Sequence, residues 1–184
     1  PDEFRTIMGD GVVSIESYDY IFYGRKRANF TIAEIVDADR ITIEHQPVAS
    51  WADRALAESN HQARLTALLA LARVGTPAHQ APALEALNAL PWATLNTAQK
   101  LELLRVYGLT FLRLGEPTPE QRNVIADRLD ALFPTYARFL DSELCQLLVY
   151  LQVPSTAAKT VPLIEQAPTQ EEQMDYTKSL RLLK

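Results

Sequence analysis

The chain has 184 residues and a formal net charge of −5 at pH 7, with a pI near 5.2. Nucleic-acid-binding domains usually carry a basic surface that neutralises phosphates, so this acidic balance argues against DNA or RNA as a partner. Mean hydropathy is −0.10, and there is no run of about eighteen apolar residues, so the sequence predicts no membrane-spanning helix. The single cysteine, Cys145, excludes an internal disulfide.

The N-terminal part, residues 1–47, is rich in β-branched and aromatic residues and predicts a small β-rich or irregular segment. Within it, residues 30–36 and 41–45 are typical of two strands. The intervening sequence Asp37-Ala38-Asp39-Arg40 is a plausible hairpin loop. Because the alternation of apolar and polar residues is imperfect, residues 28–38 also fit a short helix, and both interpretations stay open.

The second part, residues 48–184, predicts a helical domain, because Leu and Ala recur at helical spacing with Pro and Gly only at intervals. Its first clear helix is expected to end at Gly75 in a left-handed cap. The next is expected to begin at Asn96 or Thr97 and to end at Gly115. It is apolar nearly all round, which predicts that it is sandwiched between flanking repeats.

Start signals also mark the later helices. Residues 118–121, Thr-Pro-Glu-Gln, combine a capping box with a proline at the first helical position. Asp141 or Ser142 is expected to open a helix that ends before Pro154, and Thr169 is expected to open the last one through a second capping box. Residues 176–184 keep a helical pattern without a cap, and we expect the chain to belong to a longer array.

Three segments of the helical part align with one another, and their terminating residues lie about 40 positions apart. The segments are Leu69–Gly75, Leu109–Gly115 and Leu148–Pro154. Shorter helices are expected between and after them, near 78–90, 119–132 and 156–166. A period of about 40 residues that holds two helices is typical of HEAT-like arrays. One helical hairpin cannot bury its apolar face alone, so the expected fold is a stacked, mainly α, α-α superhelix.

Residues 44–184, about three quarters of the chain, resemble the HEAT-like region of large planctomycete-type exported proteins. The resemblance is carried by Glu44-His45-Gln46-Pro47 followed by Trp51, by residues 67–75 and by residues 167–173. Such proteins join a β-propeller of the sugar-dehydrogenase kind, helical repeats and a c-type cytochrome module. The resemblance implies a periplasmic or exported location and a role as an accessory domain of a haem-containing oxidoreductase.

The resemblance does not cover everything. The cytochrome module needs Cys-x-x-Cys-His, and Cys145 is followed by no such pattern, so haem binding is not carried over. Residues 1–43 are not matched. Whatever activity the family has is expected to lie outside this stretch of chain.

Candidate chemical sites are few. Asp37, Asp39 and His45 are weak candidates for a metal site, because their spacing matches no standard ligand pattern and the polar surface of a hairpin is the favoured explanation. Cys145 lies among leucines, which favours a buried core thiol over a reactive one. No Gly-rich phosphate loop, Gly-x-Ser-x-Gly elbow or His-Glu-x-x-His motif occurs. The sequence therefore predicts neither a catalytic site nor a bound cofactor.

Four aromatic residues are instead interpreted as packing or interaction residues, namely Trp51, Trp92, Tyr107 and Tyr150. The favoured hypothesis is a non-catalytic scaffold that binds a protein partner or a neighbouring domain of its parent protein. The alternatives are the oxidoreductase accessory domain and a HEAT-like nucleic-acid enzyme, and the acidic balance argues against the latter.

Overall fold

The computed structural model describes residues 30–37, 40–45, 48 and 51–184. The chain divides into two compact units, Pro1–Trp51 and Ala52–Lys184. In the first unit, strand β1 (Phe30–Asp37) pairs antiparallel with strand β2 (Arg40–His45). The other residues of the predicted N-terminal segment lie outside the described residues, so the β-rich character of residues 1–47 stays a prediction.

The second unit is mainly helical, as the sequence predicts. Short 3₁₀ turns at Pro77–His79 and Trp92–Thr94 precede its third and fourth helices. Within residues 52–184 the eight α-helices are α1 (Ala52–Ala57), α2 (His61–Val74), α3 (Gln80–Asn88), α4 (Thr97–Leu114), α5 (Pro119–Leu132), α6 (Arg138–Tyr150), α7 (Thr156–Gln166) and α8 (Gln170–Leu180).

Two of the predicted helix starts are reciprocal capping boxes. The Asn96 side chain accepts the amide of Gln99 at 2.9 Å, while the Gln99 side chain accepts the amide of Asn96 at 3.0 Å. Thr118 and Gln121 repeat this arrangement at the start of α5, with proline at the first helical position. Each box satisfies two amides that the first helical turn leaves free.

The third expected box, at the start of α8, is only half formed. Thr169 accepts the amide of Glu172 at 3.3 Å, but no return bond is made. The Glu172 carboxylate lies instead 4.0 Å from the guanidinium of Arg138 on α6. The expected reciprocal box is therefore wrong, because a contact with another helix occupies the side chain that would complete it.

The glycine that ends α2 is not a left-handed cap, contrary to expectation. Gly75 has φ −73° and ψ −179°, and its amide donates to the carbonyl of Leu71 at 2.8 Å. A Cβ at this position would lie 2.4 Å from that carbonyl oxygen, so glycine is required for a close backbone approach. Gly115, at the end of α4, does have a positive φ of 115°.

Helix α6 begins at Arg138, three residues before the expected start at Asp141. The carboxylate of Asp141 accepts the backbone amide of Thr135 at 2.6 Å and its hydroxyl at 2.8 Å. It therefore binds the turn that leads into the helix, from a position inside the helix that is 1% exposed. A short acidic residue before an apolar run predicts a cap, but here it anchors the preceding loop.

The end of the chain also differs from expectation. Helix α8 ends at Leu180, and the amides of Leu182 and Leu183 donate to the carbonyls of Ser179 and Leu180. The amide of Lys184 donates to the side chain of Gln152 at 2.8 Å. The expected continuation of the helix through the last residues is wrong, because the final turn tightens and bonds to the end of α6.

The helices pack in two interleaved rows. In the even row, α2 packs on α4, α4 on α6 and α6 on α8. The odd row consists of α1, α3, α5 and α7. Helix α1 contacts α2 and α3, and α3 packs against α2 and α4. Helix α5 packs against α6, and α7 packs against α6 and α8. Within the even row, α4 lies between α2 and α6, and α6 lies between α4 and α8.

Helix α4 lies between α2 and α6, as its apolar pattern predicts, and it also packs on α3. Leu103, Leu104, Val106 and Phe111 are buried, whereas Leu112 is 78% exposed. One face of α4 therefore remains open, because the helices that contact it leave that side uncovered.

Arg128 on α5 joins three helices. Its guanidinium donates to the carbonyls of Leu87 at 3.1 Å, Asn88, and Leu90 at 2.6 Å, which lie at the end of α3. It also donates to the hydroxyl of Tyr107 on α4 at 3.2 Å, and that hydroxyl donates to the Asn88 side chain at 2.6 Å. The carbonyls that α3 leaves unpaired are thus bound by a cation from the next odd helix.

The next odd helix repeats this device. Lys159 on α7 donates to the carbonyl of Asp130 at 2.7 Å and to its carboxylate at 2.8 Å, near the end of α5. The hydroxyl of Ser155 donates to the same carboxylate at 2.6 Å. Burial favours the neutral acid, but these bonds from Lys159 and Ser155 outweigh it and lower the pKa of Asp130.

We predict that Arg128→Ala lowers the free energy of unfolding by about 2 kcal/mol, because buried carbonyls lose a charged donor. Arg128→Lys is expected to recover only part of this, since one ammonium cannot reach all of these acceptors. Arg122→Ala is the control, because its contact with exposed Glu116 at 4.0 Å is expected to contribute less than about 0.5 kcal/mol. Urea unfolding checks both values, and equal losses in the two alanine variants would contradict the prediction.

The lowered pKa of Asp130 predicts a dependence of stability on pH. Stability from this carboxylate is present above its unfolded pKa of about 3.9 and is lost as pH falls through the lower folded value. Asp130→Asn should therefore be less stable than the parent at pH 7, and the difference should shrink as pH falls below about 4. Urea unfolding across this range tests it, and a difference independent of pH would contradict it.

Candidate functional site

The even row exposes large apolar side chains on the face that the odd row does not cover. Leu112 on α4, Phe139 on α6 (68% exposed) and Leu182 after α8 (62% exposed) are examples on successive even helices. On α6, Phe139, Gln146 and Tyr150 are all exposed at spacings of seven and four residues, which places them on one face. This uncovered surface is called the even face below.

A groove of about 420 Å³ lies on the even face between α6 and α8. Its wall on the α6 side includes Val149 and Tyr150, and its other wall includes Lys178, Arg181 and Leu182. The α8 side chains can line one wall because positions separated by three or four residues share a helix face. The groove combines an apolar floor with polar rims, as ligand-binding clefts commonly do.

Contacts behind the groove fix its shape. The ring of Tyr150 stacks on Phe111 of α4, with centroids 5.2 Å apart and planes at 12°. Burial raises the pKa of the Tyr150 hydroxyl, and the carboxylate of Glu116 acts in the same direction. At the end of the groove, the side chain of Gln152 donates to the carbonyls of Val149 at 2.8 Å and Leu182 at 3.1 Å. Both walls are therefore tied together.

The charges of the groove are predominantly positive. Its one carboxylate, Asp175, lies 3.5 Å from the guanidinium of Arg138 on α6. Within residues 51–184, Lys178 and Arg181 have no salt-bridge partner. The groove thus offers two cations without a fixed counter-ion beside a carboxylate that shares the guanidinium of Arg138 with Glu172.

The exposed charges of α2 and α4 differ in sign from those of the odd helices. In the described part of the chain, the exposed charged residues of α2 and α4 are all basic, and those of α3, α5 and α7 are all acidic. The basic residues are Arg73, Arg105 and Arg113; the acidic ones are Glu85, Glu120, Asp127 and Glu165. The even row is therefore basic along α2 and α4, whereas α8 exposes both signs, with Glu171 and Asp175 beside Lys178.

The chemically most reactive side chain lies away from this surface. Cys145 is fully buried in α6, as predicted, with its Sγ 3.6 Å from the Thr160 hydroxyl. Burial raises the pKa of the thiol, the bond with Thr160 opposes this rise, and the nearby carboxylate of Asp141 adds to it. The thiolate that nucleophilic chemistry requires is therefore disfavoured.

The weak metal candidates are not brought together. The strand pairing sets Asp37 opposite Arg40 and His45 opposite Phe30, at opposite ends of the β1–β2 hairpin. Asp39 lies outside the described residues. In the part of the chain that the structure describes, no group of three or more His, Cys, Asp or Glu residues is arranged to hold a metal ion.

Of the aromatic residues predicted to pack or interact, Tyr107 is buried against Asn88 and Arg128, and Tyr150 lines the groove. Trp92 is half-buried, and the Lys100 ammonium lies 5.2 Å from its ring centroid. Trp51 is half-buried in the turn before α1, where its amide donates to the carbonyl of Val48 at 3.1 Å. The interaction role of both tryptophans stays a prediction.

Two histidines, His61 and His79, lie at or near helix starts. His61 is the first residue of α2 and is half-buried. His79 accepts the amide of Thr76 at 3.0 Å through its Nδ1 atom and closes the 3₁₀ turn before α3.

Among the helices that the structure describes, none is long and apolar enough to cross a bilayer.

No protein-family model, curated protein or solved structure matches this chain. The resemblance to the HEAT-like region of exported proteins therefore stays a prediction, together with the location and the accessory role that it implies. A functional proposal has to be argued from the even face and its groove.

Sequence reasoning identified Tyr150 but missed Lys178, Arg181 and Leu182. The signal for two of them was present, because Lys178 and Leu182 follow Asp175 at the spacing of one helix face. What the sequence could not supply was that α6 is the helix opposite this face. The groove depends on that pairing.

We predict that the Cys145 thiol reacts with a small aromatic disulfide at least about a hundredfold more slowly in the folded chain than in urea, since reaction requires local opening. Thr66→Cys combined with Cys145→Ala is the control, because position 66 is exposed on α2 and should react at the unfolded rate. Absorbance of the released thiolate gives both rates. Fast labelling of the folded parent chain would show an accessible thiol and contradict the prediction.

Proposed function

We propose that this chain is a non-catalytic, HEAT-like helical-repeat scaffold whose even face binds a protein partner or a neighbouring domain. The observation that carries the proposal is the uncovered row of exposed apolar side chains on α4, α6 and α8. Contiguous exposed apolar surface with polar surroundings marks interaction sites in folded proteins. Stacked repeats provide such extended surfaces because each helix pair contacts only its neighbours.

The interleaved packing supports the repeat interpretation. In an α-α superhelix, helices of one kind stack on their equivalents in the next repeat, as α2, α4, α6 and α8 do here. The cations that bind helix ends recur too, with Arg128 on the end of α3 and Lys159 on the end of α5. Repeated packing joined to a repeated polar contact favours one structural unit used several times.

Burial at the aligned positions is less regular. Leu148 is fully buried, whereas Leu69 and Leu109 are half-buried. The three helices are therefore equivalent in their neighbours but rotated slightly about their axes. Divergent repeats tolerate this because each interface is optimised locally.

The distribution of reactive groups supports a binding role over a catalytic one. Cys145 and Asp141 are buried in α6, and the hydrogen-bonding capacity of Asp141 is directed at Thr135. The groove side chains are instead suited to recognition, since ammonium and guanidinium groups bind carboxylates and Tyr supplies a rigid apolar surface.

A capture experiment tests the proposal. The folded chain is immobilised and exposed to extracts of cells that encode it, in parallel with a Leu112→Ser, Phe139→Ser variant and a Val124→Ser, Val161→Ser control. All four positions are exposed, but the second pair lies on the odd row. We expect the parent chain to capture a partner in stoichiometric amount. The even-face variant should capture at least about tenfold less of it, and the control should capture as much as the parent. Capture that the control loses and the even-face variant keeps would overturn the proposal.

A further inference from the structure

We infer that the groove between α6 and α8 binds an extended acidic peptide segment that places one apolar side chain against Tyr150 and Val149. This inference rests on the proposed function and specifies its ligand chemistry. It commits to a partner that is a carboxylate-rich polypeptide rather than a second copy of the chain or a nucleic acid.

Charge complementarity is the first argument. Lys178 and Arg181 line the groove without salt-bridge partners among the described residues, while Asp175 is held by Arg138. A carboxylate entering here meets two donors and loses little to repulsion, because the resident carboxylate is already paired. An acidic ligand is therefore favoured over a basic one.

The second argument is the apolar floor. Val149 is buried and Tyr150 is partly exposed with its ring fixed by stacking on Phe111, so the floor is preorganised. Leu182 adds an exposed apolar wall on the opposite side. A fixed aromatic surface contributes to affinity at low entropic cost. A polyphosphate backbone would leave this surface unused, whereas an apolar side chain would cover it.

Dimensions favour an extended segment. On the α6 side the groove is lined by residues from Gln146 to Gln152, which span about 10 Å of helix. About three residues of extended chain span that distance. The groove is a cleft between two neighbouring helices, so it admits one chain. The odd row of a second copy, although acidic, would present whole helices that cannot enter it.

A displayed library of random peptides of about twelve residues, about four times the span of the groove, tests the inference on the folded chain. We expect the selected sequences to be enriched in Asp and Glu around one aromatic or aliphatic residue. Individual peptides are then labelled and titrated by fluorescence anisotropy at about 0.15 M salt, where charges more than about 8 Å apart are largely screened.

Four variants locate the binding. Lys178→Glu with Arg181→Glu should weaken a selected peptide by at least about tenfold, whereas the matched control Arg105→Glu with Arg113→Glu should change affinity less than about threefold. Tyr150→Ala should weaken binding, and Tyr150→Phe should not, because the ring makes the contact. Circular dichroism and urea midpoints verify that each variant is folded.

The outcomes separate this inference from the proposed function. Selection of apolar peptides without acidic residues, or equal losses in the two charge-reversal variants, would overturn the acidic-peptide groove and leave the scaffold proposal standing. Self-association by sedimentation that Lys178→Glu with Arg181→Glu abolishes would reassign the groove to a second copy. Tighter binding of a single-stranded oligonucleotide than of any selected peptide would also overturn it. Failure of both selection and partner capture would overturn both proposals.

Discussion

The fold depends on how the carbonyls at the ends of the odd helices are satisfied. A helix leaves four carbonyls unpaired at its C-terminus, and burying them without donors is costly. At the end of α3 the donor is the guanidinium of Arg128, which reaches three carbonyls and the hydroxyl of Tyr107. Because Arg128 belongs to α5, the end of one helix pair can be buried only when the next pair is in place.

This dependence links the hairpins in sequence. Lys159 on α7 binds the end of α5 in the same way, with Asp130 supplying both a carbonyl and a carboxylate. Leucine packing holds the even row together, but apolar contacts alone do not fix how far one hairpin slides past the next. Directional bonds from a cation to a helix end fix that translation. At the groove between α6 and α8, the directional bonds are those from the Gln152 side chain to the carbonyls of Val149 and Leu182.

The helical part of the fold was largely predictable, because its signals are local. Capping boxes at Asn96 and Thr118 and apolar spacing along α4 act within a few residues, and the structure has helices at those places. The errors occur where distant groups intervene. Asp141 binds the preceding loop from within its helix, and Glu172 faces Arg138 instead of completing a cap. Neither contact is visible in local sequence, since each needs the position of another segment.

The candidate groove was predictable only in part, for the same reason. Tyr150 stood out as an aromatic residue in a repeat, but its partners across the groove come from α8, about thirty residues further along the chain. Periodicity shows which residues share a helix face and gives no information on which helix lies opposite. Even the open face of α4, with Leu112 at its surface, could not be distinguished from a buried one by composition.

The separation of charge between the rows has a kinetic meaning. With arginines exposed on α2 and α4 and carboxylates exposed on α3, α5 and α7, these helices have a dipole moment directed across their axes. Such a moment turns an approaching charged molecule before contact, so that most encounters begin in a productive orientation. A chain of net charge −5 can thereby attract an anionic partner to one side while repelling it from the other.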